Sequence, residues 1–183
     1  MQGFTLIEIL IVVFIIGLTA SVISLSMGGD DEKDSAPYQE TQTLLQAIAF
    51  VGEYSALNGE VIALFVSQKE SEDELNKHWC YTWKRFRDNS WGELPDDVLS
   101  EHCMPSNVVW ELEIEGRLYI YDPDLEIQPP VLVFSPSGEA TPVEMVLFES
   151  AASASNNAQH IEIDMMGASR WVEQDEAEAG NDK

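Results

Sequence analysis

Positive charge is what this chain has least of. Nine lysines and arginines stand against 33 aspartates and glutamates, a net charge of −24 over 183 residues. A domain so acidic repels phosphate backbones and anionic headgroups, which argues against nucleic acid or an anionic membrane surface as partner. Cysteine is scarce as well. Cys80 and Cys103 are the only two, and no Cys-x-x-Cys metal pair exists. In an oxidising compartment they are the candidate pair for one disulfide, which sequence separation alone neither requires nor forbids. Histidine is limited to His78, His102 and His160, none within a nucleophile motif. No glycine-rich phosphate loop and no His-Glu-x-x-His occurs, so nothing points to catalysis, a metal or a cofactor. Asp122-Pro123-Asp124-Leu125-Glu126 could offer alternating oxygens to calcium, but reads first as a polar turn. Trp79, Trp83, Trp91, Trp110 and Trp171 read as packing residues before they read as a binding surface.

Charge is missing altogether from Ile9 to Gly29. All nine basic residues, and every acidic one except Glu8, lie beyond Gly29. An apolar helix of about 20 residues rising 1.5 Å per residue matches a hydrocarbon core of about 30 Å. Ile9 to Ile16 is apolar on every face, and Gly17, Thr19, Ala20, Ser21 and Ser24 are small residues that let membrane helices approach closely. Three other readings fit less well. A secretory signal would bring a basic start and a shorter core, and Met1-Gln2-Gly3 has no basic residue. A plain signal anchor leaves Glu8 unexplained, since a carboxylate in a spanning segment costs a few kcal/mol. A soluble core helix rarely runs so far without polar residues.

The stretch Gly3-Phe4-Thr5-Leu6-Ile7-Glu8, followed by this apolar run, resembles the type III signal of type IV pilins and pseudopilins. The resemblance implies cleavage by a prepilin peptidase between Gly3 and Phe4, N-methylation of Phe4, and retention of Glu8 within the apolar helix. Met1-Gln2 lacks the lysine or arginine that such leaders carry before the glycine. Cleavage would create an α-amine that is cationic near neutral pH. A carboxylate about one turn away can pair with it, lowering the cost of either charge in hydrocarbon. The resemblance implies that Phe4 and Glu8 pair between subunits and so dock them. Spacing alone is equally compatible with pairing inside one chain, or with a Glu8 facing water at the membrane boundary.

Met27-Gly28-Gly29-Asp30-Asp31-Glu32 ends the apolar segment as a flexible joint, and Ser35-Ala36-Pro37 has the chemistry of a helix start. Leu44, Leu45, Ile48, Val51 and Ser55 then follow the three-four rhythm of an amphipathic helix that Asn58-Gly59 terminates. Beyond Gly59 the pattern becomes that of strands: 61–66, 79–86, 108–114, 118–121, 131–134, 143–148 and 161–165, separated by turn signals. The expected architecture is α+β: a long N-terminal helix, half transmembrane and half amphipathic, packed on an all-antiparallel β-sheet or sandwich domain. The expected division is a leader 1–3, a transmembrane helix 4–29, a joint 30–37, an amphipathic helix 38–59, a β domain 60–172 and an acidic disordered tail 173–183.

This order, with Asn58-Gly59 after the helix, Trp91 after a turn and Phe134-Ser135-Pro136-Ser137-Gly138-Glu139 before a late strand, is similar to the H-class minor pseudopilins of type II secretion and the related FimT/FimU-type minor pilins. The resemblance implies a non-catalytic subunit that links a tip complex to a pseudopilus shaft. It would be single-pass in the inner membrane, with lipid around residues 4–27 and the soluble domain in the periplasm. Its partners would be other minor and major pseudopilins, the prepilin peptidase and an inner-membrane assembly platform. A minor pilin of a type IV pilus or competence system is the alternative. A membrane-tethered periplasmic binding or enzymatic domain is the alternative from another class.

Overall fold

In the computed structural model the described residues are 35–70, 77–94, 99–150 and 157–181. The expected leader 1–3, the expected membrane helix 4–29 and most of the joint 30–37 lie outside them. Among the described residues no helix is long and apolar enough to cross a membrane.

Helix α1, Ala36–Asn58, opens with Pro37 in its first turn, where a missing N–H costs nothing. Pro37, Thr41, Leu44, Ile48, Val51 and Ser55 are its buried residues, spaced four, three, four, three and four apart. That spacing confines burial to one stripe. The helix ends in a left-handed residue, Gly59 at φ 66°, with the Glu60 N–H donating back to the Ser55 carbonyl at 3.2 Å. This is the Schellman arrangement that satisfies the last carbonyls. Ser55 is polar yet fully buried because its hydroxyl donates to the Glu60 carbonyl at 2.7 Å.

Among the described residues ten strands follow, in two antiparallel sheets. Sheet A holds β1 (Val61–Glu70), β2 (Lys77–Arg87), β3 (Ser90–Glu93), β4 (His102–Cys103) and β7 (Leu132–Phe134), in the order β3-β2-β1-β7 with β4 also on β2. Sheet B holds β5 (Val108–Ile114), β6 (Arg117–Leu118), β8 (Val143–Glu149), β9 (Gln159–Ile163) and β10 (Ser169–Trp171), in the order β10-β9-β8-β5-β6. Two hairpins turn through pairs of left-handed residues, Asp88-Asn89 and Glu115-Gly116. Positive φ at both central residues matches the twist of the flanking strands.

The core lies between the inner faces of the sheets and the buried stripe of α1, which packs against β1, β7, β8, β9 and β10. Ile62, Leu64, Trp83 and Leu132 from sheet A meet Trp110, Leu112, Met145, Leu147 and Ile161 from sheet B, with Leu44, Ile48 and Val51 of α1 in the same cluster. Each such aliphatic side chain contributes about 1.5–3 kcal/mol on leaving water. The β7–β8 connection, with Gly138 at φ 91°, is braced by the β9–β10 turn. There the Ala140 N–H donates to the Met165 carbonyl at 3.1 Å, and a Cβ on Gly167 would sit 2.7 Å from the Gly138 carbonyl oxygen. Only glycine fits at Gly167.

Three expectations change. The strand expected at 118–121 contracts to β6, Arg117–Leu118. Three strands, β3, β4 and β10, join those read from the sequence; at four, two and three residues they are too short to show a period. The segment 173–183, expected to be disordered, is largely helix α2, Val172–Asn181. Glu173 and Asp175 in its first turn complement the helix dipole, and the Glu173 carboxylate accepts the His160 backbone N–H at 2.8 Å while also engaging the His160 ring. Anchoring on β9 thus offsets the polar composition.

Candidate functional site

The residues expected to carry processing and docking, Gly3, Phe4 and Glu8, lie outside the described residues. What the structure places is the surface of the globular domain.

Cys80, in the middle of β2, and Cys103, in β4, stand directly opposite one another with Cα atoms 3.9 Å apart, joined as a disulfide. Closing a loop over 23 positions restricts the unfolded chain and contributes roughly 3 kcal/mol. The ladder of a two-residue strand is a weak clasp by itself. The disulfide, with the Met104 N–H donating to the Trp79 carbonyl at 2.8 Å, keeps Met104 seated in the core. His78 has a ring nitrogen within 4.8 Å of both sulfurs, but sulfurs bonded to each other offer a metal no thiolate.

Beside this clasp a groove of about 350 Å³ runs between α1 and sheet A, lined among others by Ala47, Phe50, Tyr81, Trp83, Leu99 and His102. Its polar groups answer one another. His102 Nε2 lies 2.7 Å from the Glu40 carboxylate, tying β4 to α1, and the Tyr81 ring lies 5.1 Å from the His102 ring. Burial, and after it the Glu40 charge, hold the Tyr81 phenol well above its ordinary range, so it keeps its proton at neutral pH. The Trp83 indole N–H is buried without an acceptor. The groove continues onto a flank of α1 separate from the buried stripe. There Phe50 and Tyr54 rings lie 5.9 Å apart and Leu57 is 84% exposed.

On the outer face of sheet A, Phe65 and Phe86 flank Trp91 at 5.2 and 5.1 Å, with Lys84 Nζ 5.0 Å from the centre of the Phe65 ring. Trp83, Trp110 and Trp171 are buried, so of the five tryptophans Trp91 and Trp79 keep the most contact with solvent. Asp122-Pro123-Asp124 forms a turn in which the Asp122 carboxylate accepts the Asp124 N–H at 3.0 Å. His160 is held by Glu173. The sequence reading missed Phe50, Leu57 and the exposed side chains after β6, although Leu57 falls off the phase of Leu44, Ile48 and Val51 and could have been noticed by that.

Residues 1–24 match the prokaryotic N-terminal methylation motif. Over 190 aligned residues, covering 97% of this chain and 96% of its relative, the chain is 29% identical to Type II secretion system protein H of Aeromonas hydrophila. It is 23% identical to Type II secretion system protein H of Escherichia coli strain K12 over 80% of each. The fold is similar to that of the minor pseudopilin EpsH from the type II secretion system of Vibrio cholerae, with a TM-score of 0.57 and 16% identity, covering 74% of this chain and 92% of that one. The chain is similar to the H-type pseudopilins. A second EpsH structure aligns with a TM-score of 0.54 over 75% of this chain and 96% of that one. The alignment with the Aeromonas hydrophila protein therefore spans both the motif at the N-terminus and the two-sheet domain.

Proposed function

We propose that this chain is a non-catalytic subunit joining a tip complex to the shaft of a type II secretion pseudopilus. The prepilin peptidase would cut between Gly3 and Phe4, and Phe4 would then be N-methylated. The helix at 4–29 would hold the chain single-pass in the inner membrane with the two-sheet domain in the periplasm. Glu8 would pair with the Phe4 amine of a neighbouring subunit, since either charge alone in hydrocarbon is costly. Assembly would involve other minor and major pseudopilins and an inner-membrane platform.

The observation that carries this reading is the methylation motif at 1–24 standing in one chain with a domain of the EpsH fold. The end-to-end match to a secretion protein H favours the secretion pseudopilus over a type IV pilus. A periplasmic setting also agrees with the Cys80–Cys103 disulfide. Mass spectrometry of the protein purified from peptidase-positive cells tests it. The expected N-terminus is N-methyl-phenylalanine at Phe4; an intact Met1 overturns the reading.

A further inference from the structure

We infer that His78, Cys80 and Cys103 form a zinc site in the dithiol state of the chain, which the disulfide closes and reduction opens. This site belongs to the clasp on sheet A and does not depend on the filament-subunit reading above.

Among the described residues these three are the one group of metal-ligating side chains whose ligand atoms all lie within 4.8 Å of one another. The ladder puts them there. His78 and Cys80 stand two positions apart on β2, so their side chains leave the same face of the sheet. Cys103 of β4 is directly opposite Cys80. The sulfur bond is not all that holds β4. The Met104 N–H donates to the Trp79 carbonyl at 2.8 Å, and the Met104 side chain is buried in the core. His102 reaches the Glu40 carboxylate on α1 at 2.7 Å. With the disulfide open, these contacts keep the two thiols facing each other.

The imidazole is uncommitted. His102 is held by Glu40 and His160 by Glu173, while no hydrogen bond or ion pair holds the His78 ring among the described residues. Cys80 is buried, His78 half-buried and Cys103 exposed, so an ion enters from the Cys103 side. Lys69, opposite His78 on β1, is paired with Glu101, which offsets its repulsion of a cation. The charge of −24 on the whole chain draws cations to the surface.

Both cysteines are thiols when the chain is made, so the dithiol state precedes the disulfide. A dithiol reductant regenerates it in two exchanges. Its thiolate attacks the sulfur of Cys103, the exposed member of the pair, and Cys80 leaves as a thiolate. The second thiol of the reductant then attacks the reductant's own sulfur in the mixed disulfide, which releases Cys103 and closes the reductant's disulfide. Two electrons and two protons pass to the chain. Zinc binding expels those two protons, leaving two thiolates and a neutral imidazole on the ion. Thiolate and imidazole suit zinc, whereas calcium and magnesium require oxygen. Donors on a tetrahedral zinc stand about 3.5 Å apart, so the His78 ring closes in by about 1 Å. Three protein donors leave the fourth place to water. In this state the ion takes over from the disulfide in pinning β4 to β2.

The test uses the full chain in detergent, reduced with dithiothreitol and freed of it without oxygen, with cobalt(II) as the coloured stand-in for zinc. The expected result is thiolate-to-cobalt absorption with the visible bands of tetrahedral cobalt, saturating at one ion per chain and lost when zinc is added. The oxidised chain should show neither. His78→Ala should bind cobalt roughly a hundredfold more weakly, the upper end of the loss when a supporting group is removed from a metal site. Near-ultraviolet circular dichroism follows the packed tryptophans in every sample, and zinc should raise the urea midpoint of the reduced parent but not of the oxidised chain. No thiolate-to-cobalt absorption overturns the proposal. So does unchanged affinity in His78→Ala, equal binding by the urea-unfolded chain, or a reduced chain whose tryptophan signal is lost and not restored by zinc.

Discussion

At the scale of single residues, the groove beside α1 turns on a phenol that cannot easily ionise. Tyr81 is buried, and the nearby Glu40 carboxylate adds repulsion against a phenolate. Its folded pKa therefore lies above the unfolded value of 10.0. Below pH 10 both states hold the proton and the contribution to stability is fully present. As pH rises past 10 the unfolded chain releases its proton while the folded one keeps it, so stability falls by about 1.4 kcal/mol per pH unit until the folded value is reached. Tyr119 acts in the same direction, raised by burial first and by Tyr121 second. Urea denaturation at pH 9 and pH 11 should show Tyr81→Phe losing less stability between the two than the parent, by roughly one proton's worth. Equal losses would remove Tyr81 as the cause. The same scale shows what sequence could not supply. Cys80 and Cys103 were visible as a candidate pair, but their bonding depends on β4, a strand of two residues whose existence follows from the bond as much as from its own pattern.

Among the elements, α1 was the most legible. Its four-three spacing appears in the order of apolar residues because one face must be dry and the others wet, and Asn58-Gly59 marks its end for a backbone reason. Strands β5 and β8 were legible for the equivalent reason in period two, with burial alternating along Val108–Ile114 and Val143–Glu149. In β1 the run from Ile62 to Val66 is buried on both faces, since Trp91 and Lys84 cover Phe65 from outside, and alternation vanishes where both faces are dry. Helix α2 was misread because composition speaks for solubility and not for one anchoring bond such as Glu173 to His160. The two faces of α1 should separate in experiment. Ile48→Ala, in the buried stripe, should cost about 2–5 kcal/mol in urea denaturation. Leu57→Ser, on the exposed flank, should stay within about 0.5 kcal/mol. A large loss for Leu57→Ser would mean that this flank is packed in the isolated chain and is not a surface kept for a neighbour.

For the whole molecule the governing fact is the separation of charge along the chain. Every acid but one lies beyond Gly29, so the acidic domain is kept soluble while Glu8 alone enters an otherwise uncharged segment. The domain's burden of like charge opposes contact between identical copies and favours unlike neighbours. The proposed docking pair, Phe4 with Glu8, rests on its motif alone and lies outside the described residues. Core packing has no bearing on a contact proposed to form between chains. Its test is therefore functional. Glu8→Ala should leave the chain inserted, processed at Phe4 and stable to the same urea concentration as the parent. Incorporation into the filament should fall roughly a hundredfold, from leaving an amine unpaired in a low-dielectric contact at a cost of about 3 kcal/mol. Crosslinking to neighbouring subunits and secretion of exported protein read the two halves of that expectation. Undiminished secretion, with crosslinks intact, would mean that the acid faces water at the membrane boundary and docks nothing.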